Sequence, residues 1–125
     1  MSDFEFTGKR ILVAEDEPFI GFDIIDAIEA AGASALGPAG TVKAALQLLE
    51  SSQIDGAILD VNLLDGDISP VIEMLLLRAV PFIIHTGAGL TETLRNNHSG
   101  LTVFYKPTSP DVLVETIRGM IAELN

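Results

Sequence analysis

Five short apolar runs alternate with segments of helical spacing along the chain, and this alternation limits what the chain can fold into. Most of the runs are continuously apolar, which is typical of strands that are covered on both faces, as in a parallel sheet. The runs comprise residues 11–14, 34–36 (the weakest), 57–59, 81–84 and 101–105. Strand and helix therefore alternate five times, which predicts an α/β domain with a parallel sheet and right-handed crossovers.

The intervening segments predict five helices. In residues 18–31 apolar side chains recur at steps of three and four, and Gly32 is a natural stop for this first helix. The fourth helix, over residues 90–96, is short and polar. Side chains that can cap a helix mark the other starts. These helices are expected to begin at Thr41, at Asp67 or Ser69, and at Ser109 or Asp111.

The charge balance narrows the choice of partners. Seven basic residues against eighteen acidic ones give a formal net charge of −11. Such a surface repels phosphate backbones and anionic membranes, so direct nucleic-acid binding is not expected. The chain has no cysteine, and none of its apolar runs approaches the ~20 residues of a membrane helix. We therefore expect a cytoplasmic domain without membrane insertion, whose partners are cations or basic protein surfaces.

Polar residues stand where four of the five predicted strands end. In an open parallel sheet, ligands bind beyond the carboxyl ends of the strands, so these residues would share one edge. A single acid after a strand is usually a helix cap or a solvated loop residue, a single threonine there is most often a turn residue, and a single lysine is usually a surface residue. The occurrence of all of them at equivalent places nevertheless predicts a site. The residues are Glu15 and Asp16 after the first run, Asp60 at the third, Thr86 after the fourth and Lys106 after the fifth.

The chemistry of this set is coherent. Three carboxylates brought together would repel one another and raise each other's pKa, and a hard divalent cation removes that conflict. Mg²⁺ fits few protein ligands better than Ca²⁺ does, and zinc is not expected because His85 and His98 lack ligand spacing. Beside such a cation, with the charge of Lys106 and the hydroxyl of Thr86, Asp60 can act as a nucleophile and form an aspartyl phosphate.

Four segments, ILVAEDEP, AILDVNLLDG, PFIIHTG and FYKP, resemble the receiver domains of response regulators in two-component signalling. The resemblance covers residues 9–124, leaving residues 1–8 as an N-terminal extension. It implies a single doubly wound sheet of five parallel strands in the order 2-1-3-4-5, as in flavodoxin. It assigns Mg²⁺ binding to Glu15, Asp16, Asp60 and the backbone carbonyl of Asn62, phosphorylation to Asp60, a switch hydroxyl to Thr86 and phosphoryl pairing to Lys106. A cis peptide before Pro107 would aim Lys106 into the site.

Some positions depart from the family pattern. Many receivers carry an aromatic switch residue three positions before the lysine, where this chain has Val103, and Phe104 and Tyr105 come one or two positions too late. Thr108 stands where an aromatic is common. The segment FIIHTG resembles a subgroup of short receivers, often standalone, that lack the aromatic switch. Signalling by a swinging ring is therefore not expected.

The implied function is a phosphoacceptor switch of a bacterial two-component phosphorelay. A histidine kinase or a histidine phosphotransfer protein would donate the phosphoryl group, and the changed conformation would regulate an unknown protein partner, or the domain would shuttle or drain phosphate. We expect a monomer or weak homodimer, and no enzyme beyond its own phosphorylation and dephosphorylation. One alternative is a Mg²⁺-dependent phosphohydrolase of the haloacid-dehalogenase type, although Asn62 occupies the place of its second aspartate. The other is a phosphate-independent protein-binding module.

Overall fold

Residues 6–124 are described in the computed structural model, and within them seven strands and five helices follow one another. The strands are β1 (Arg10–Ala14), β2 (Ser34–Ala39), β3 (Gly56–Leu59), β4 (Asn62–Leu63), β5 (Gly66–Asp67), β6 (Phe82–Thr86) and β7 (Val103–Tyr105). The helices are α1 (Pro18–Ala30), α2 (Val42–Ser51), α3 (Ser69–Leu77), α4 (Glu92–Asn97) and α5 (Pro110–Glu123). Among these residues, no helix combines the length and apolarity that crossing a bilayer requires.

Five of the strands form one parallel sheet in the order β2-β1-β3-β6-β7. Counted along the chain, these five strands have the order 2-1-3-4-5, so the expected doubly wound α/β fold is confirmed. The short strands β4 and β5 form a separate antiparallel hairpin, which pairs Asn62 with Asp67 and Leu63 with Gly66. Strands of two residues are too short to show alternation, which is why the sequence did not predict this hairpin.

Apolar side chains pack against both faces of the sheet, as the continuous runs predict. Along β1, Leu12 belongs to one core layer, and its neighbours Ile11 and Val13 belong to the other. The first layer includes buried residues of α2 and α3, and the second those of α1 and α5. Phe6 is fully buried in the second layer, whereas residues 1–5 of the predicted extension lie outside the described residues.

Strand β2 is longer than its weak apolar run. It continues through Gly37 and Pro38, which are joined by a cis peptide, to Ala39. Gly37 has a φ of 123°, and a Cβ at this position would lie 2.4 Å from the carbonyl oxygen of Val13. Only glycine can therefore occupy it, and the register of β1 against β2 shifts at the same level, between Leu12 and Ala14.

The helix starts are confirmed in part. The hydroxyl of Thr41 caps α2 by accepting a hydrogen bond from the Ala44 N–H at 3.0 Å, and Ser109 is the N-cap of α5. Neither candidate for α3 is right, because Ile68 holds the cap position and Ser69 is already helical. Asp67, the residue before the cap residue Ile68, ends the hairpin. Its carboxylate accepts a hydrogen bond from the Ser69 N–H at 2.7 Å. Helix α4 begins after Thr91, later than expected.

Candidate functional site

The ends of β1 and β3 bring two of the expected acids side by side. Ala14 pairs with Leu59, so Glu15 and Asp60 are the next residues on adjacent strands. The Asp60 N–H donates to the Ala14 carbonyl at 2.8 Å, which fixes Asp60 at the edge of the sheet. Both residues are buried, at 3% and 8% exposure. A carboxylate so placed needs a compensating charge.

Lys106 supplies that charge. It directly follows β7, which is separated from β3 by β6 in the sheet. Its Nζ lies 2.9 Å from Asp60 Oδ2, 2.9 Å from Glu17 Oε2 and 3.1 Å from a carboxylate oxygen of Glu15. Burial alone would lower the pKa of Lys106, but the hydrogen bonds to Glu17, Asp60 and Glu15 raise it above its ordinary value. The ammonium therefore stays charged throughout the physiological range. The peptide between Lys106 and Pro107 is cis, as expected.

Four acids form one cluster: Glu15, Asp16, Glu17 and Asp60 each offer a carboxylate oxygen, and these oxygens lie within 4.8 Å of one another. The pKa of Glu15 is raised to about 7, chiefly by burial and also by the charge of Asp60, while hydrogen bonds from the Glu17 N–H and Lys106 act in the opposite direction. Repulsion among the acids was the expected cause, but burial is the larger one. Hard oxygen donors in this arrangement fit Mg²⁺.

The two oxygens of Asp60 have different surroundings. Oδ2 faces Lys106, while Oδ1 accepts a hydrogen bond from the Val61 N–H at 2.7 Å. Asn62, two residues on, begins β4 with an exposed side chain. Its backbone carbonyl as a metal ligand stays a prediction.

Thr86 is the last residue of β6 and is buried. Its hydroxyl accepts a hydrogen bond from the Ala88 N–H at 3.3 Å and donates to the Gly89 carbonyl at 3.4 Å. The hydroxyl is thus engaged by the loop that follows β6. Its role toward a phosphoryl group stays a prediction.

Val103 stands where many receivers have the aromatic switch residue, and its side chain is half-buried. Phe104 is half-buried on the opposite side of β7, where it packs with the core layer of α1 and α5. Tyr105 is 61% exposed, and its ring lies beside Gly89. The ring of Tyr105 therefore borders the loop after β6 from the outside.

Sequence reasoning did not predict the contacts that three acids make, Glu17, Asp65 and Asp67. Glu17 was detectable only as the third consecutive acid in EDEP, since its contact with Lys106 spans 89 positions. Asp65 accepts hydrogen bonds from the Val42 and Lys43 N–H groups at the start of α2, which lowers its pKa. Asp67 accepts a hydrogen bond from the Thr91 hydroxyl at 3.1 Å. These last two acids therefore tie the hairpin after Asp60 to α2 and α4.

His85 is packed in the interior and is 4% exposed. Neither ring nitrogen has a hydrogen-bond partner among the described residues. Burial lowers the pKa of His85, and the charge of Lys106 lowers it further. The ring lies against a cavity of about 350 Å³ between α1 and the segment from Lys106 to Pro110.

Comparison with known proteins gives matches among solved structures. No protein-family model matches the chain, and neither does any curated protein. A response regulator receiver domain protein (CheY-like) from Methanospirillum hungatei JF-1 is 26% identical, with 94% of this chain and 96% of that chain covered and a TM-score of 0.82. The response regulator PhyR from Brucella abortus is 29% identical, with 98% of this chain covered and a TM-score of 0.76, but the match covers 53% of PhyR.

Two structures of SdrG also match. SdrG from Sphingomonas melonis Fr1 is 33% identical, with 98% of this chain and 99% of that chain covered and a TM-score of 0.74. The BeF3-activated conformation of SdrG from Pseudomonas melonis Fr1 is 34% identical, with 92% and 98% covered and a TM-score of 0.68. The chain thus spans nearly all of SdrG and about half of PhyR.

Proposed function

This chain belongs to the receiver domains of response regulators, and from that premise we propose that it is a phosphoacceptor switch, phosphorylated on Asp60 in the presence of Mg²⁺. The observation that carries the proposal is the contact of 2.9 Å between Asp60 Oδ2 and Lys106 Nζ inside the four-acid cluster. A nucleophilic carboxylate, a fixed cation and a set of oxygen donors are the parts that phosphoryl transfer to an aspartate requires.

Asp60 would attack the phosphorus of a phosphohistidine. A bond forms between a carboxylate oxygen and phosphorus, the bond from phosphorus to nitrogen breaks, and the leaving imidazole keeps the electron pair and takes up a proton. Lys106 would hold the equatorial oxygens of the transferred group, since its raised pKa keeps it charged. The Val61 N–H keeps Asp60 oriented at the end of β3.

Glu15, Asp16, Asp60 and the carbonyl of Asn62 would hold the metal. When bound, Mg²⁺ supplies positive charge that offsets both the acid cluster and the phosphoryl oxygens. The buried Glu15 gains most from this, because its carboxylate is otherwise costly to ionise.

The response to phosphorylation would start at Thr86. Turning its hydroxyl toward the phosphoryl group breaks its contacts with Ala88 and Gly89 and releases the loop before α4. Helix α4 has six residues and one buried side chain, Leu94, so few contacts resist its movement. Val103 provides no ring that could carry the signal along β7.

The phosphoryl donor would be a histidine kinase or a histidine phosphotransfer protein, and the output would be an unidentified protein partner in the cytoplasm. The domain would act as a monomer or weak homodimer and catalyse only its own phosphorylation and dephosphorylation. The similarity to SdrG, whose structure was determined in a BeF3-activated conformation, supports this proposal.

Labelling with a small phosphodonor tests the proposal. Acetyl phosphate with Mg²⁺ should add one phosphoryl group, seen by intact-protein mass spectrometry and removed by hydroxylamine. Asp60→Asn should stay unlabelled, whereas Asp26→Asn, which changes an exposed acid of α1, should be labelled like wild type. Undiminished label in Asp60→Asn would overturn the proposal.

A further inference from the structure

The ammonium group of Lys106 has no free hydrogen-bond donor. Such a group carries three N–H bonds, and the carboxylates of Asp60, Glu15 and Glu17 lie within 3.1 Å of its nitrogen. If Asp60 is the phosphoacceptor, as proposed above, the phosphoryl oxygens must share Lys106 with these carboxylates. At least one existing bond has to weaken or break.

Asp60 and Glu15 are poorly placed to withdraw. Asp60 carries the phosphoryl group itself and is held by the Val61 N–H. The Glu15 side chain is 2% exposed, and both of its oxygens lie 3.1 Å from Lys106 Nζ. Glu15 can therefore bind a metal through one oxygen and keep Lys106 through the other.

Glu17 is the partner that can leave. Its side chain is 60% exposed, and among the described residues its carboxylate has Lys106 as its only hydrogen-bond partner. Glu17 precedes α1 at the cap position, but its side chain makes no capping hydrogen bond. Water can replace Lys106 around this carboxylate, and exposed ion pairs of this kind contribute little to stability.

We propose that Glu17 is a positioning residue that competes with the phosphoryl group for Lys106. In the unphosphorylated protein Glu17 holds Lys106 from the solvent side of the site. An incoming phosphoryl group displaces it, and this displacement lowers the affinity of the site for the phosphoryl group.

Beryllofluoride, a phosphoryl mimic, gives a test by ¹⁹F NMR at saturating Mg²⁺. Glu17→Gln should bind it about threefold more tightly than wild type, as expected for the loss of one exposed ion pair. Asp23→Asn is the matched control. This substitution removes the charge of an exposed residue of α1 that borders the same cavity as Lys106. The affinity of this variant for beryllofluoride should equal that of wild type.

A double-mutant cycle separates action through Lys106 from a general charge effect. In the Lys106→Ala background, loaded at higher beryllofluoride concentration, Glu17→Gln should give no gain. An equal gain in both backgrounds, or no gain in either, would overturn the role of Glu17. Weaker beryllofluoride and Mg²⁺ binding by Glu17→Gln would assign Glu17 to the metal and also overturn it. Absence of binding to wild type would overturn the phosphoacceptor function as well.

Discussion

Replacing Glu15 with glutamine should stabilise the metal-free protein, and the gain should depend on pH. The Glu15 side chain is buried at the end of β1, and this burial raises its pKa to about 7 from an ordinary 4.5. Glutamine has nearly the same shape and keeps an oxygen that can accept hydrogen bonds from the Glu17 N–H and Lys106. The substitution therefore removes the charge with little change in packing.

The sign follows from proton binding. The folded protein holds the Glu15 proton more tightly than the unfolded chain does, so this contribution to stability is complete below pH 4.5 and is lost as pH rises through about 7. The rise in pKa corresponds to about 3 kcal/mol, at about 1.4 kcal/mol per pH unit. Solvent at the open side of the site weakens such interactions, so we expect a loss of about 2 kcal/mol.

Urea unfolding followed by circular dichroism, with a chelator present, measures the difference. Near pH 8, Glu15→Gln should be about 2 kcal/mol more stable than wild type, and near pH 4 the two should agree within about 0.5 kcal/mol. Glu29→Gln, at an exposed position of α1, should show no such gain. Added Mg²⁺ should shrink the difference, because it stabilises the charged wild-type site. A gain of equal size at both pH values would refute the reasoning.

Three further outcomes are expected. Lys106→Ala should slow labelling by acetyl phosphate about tenfold to a hundredfold, because the fixed positive charge beside the transferred oxygens is lost. Thr86→Ala should be labelled at the wild-type rate but fail to change conformation. Equal impairment of labelling and of the conformational change in both variants would contradict this division of roles. Beryllofluoride should alter hydrogen exchange mainly in residues 86–100 and little in α1, and the reverse distribution would place the response elsewhere. His85 has a pKa below its ordinary 6.5, so unfolded chains bind its proton more readily and its own contribution to stability should decrease as pH falls below 6.5, opposite in sign to that of Glu15. In the Glu15→Gln background, which lacks the Glu15 contribution, His85→Leu should therefore remove a loss of stability on acidification, and an unchanged pH dependence would contradict this.

The main features of the fold could be predicted because burial on both faces leaves a strong trace in the sequence. The continuous runs that include Val13 and Leu12 supply side chains to both core layers, so they indicated a covered parallel sheet. The hairpin of β4 and β5 left no such trace. Asp65 and Asp67 connect this hairpin to α2 and α4, and the partners through which they do so lie 22 to 24 positions away in the chain.

The site could be predicted as far as strand ends determine it. Glu15 and Asp60 meet because β1 and β3 are adjacent and in register. The reach of a long side chain is not determined by strand order, and so the contact between Glu17 and Lys106 was missed. The direction of the Thr86 hydroxyl, toward Gly89, likewise depends on the backbone of the following loop.

The most direct test of Asp60 as the phosphoacceptor is to locate the phosphoryl group in the wild-type protein. After labelling with acetyl phosphate and Mg²⁺, borohydride reduction of the acyl phosphate marks the modified residue for peptide mass spectrometry. The reduced residue should be Asp60 alone, and omission of Mg²⁺ should greatly reduce its yield. Modification at Asp16 or Glu17 instead, or a phosphoryl group found on His85, would contradict the assignment.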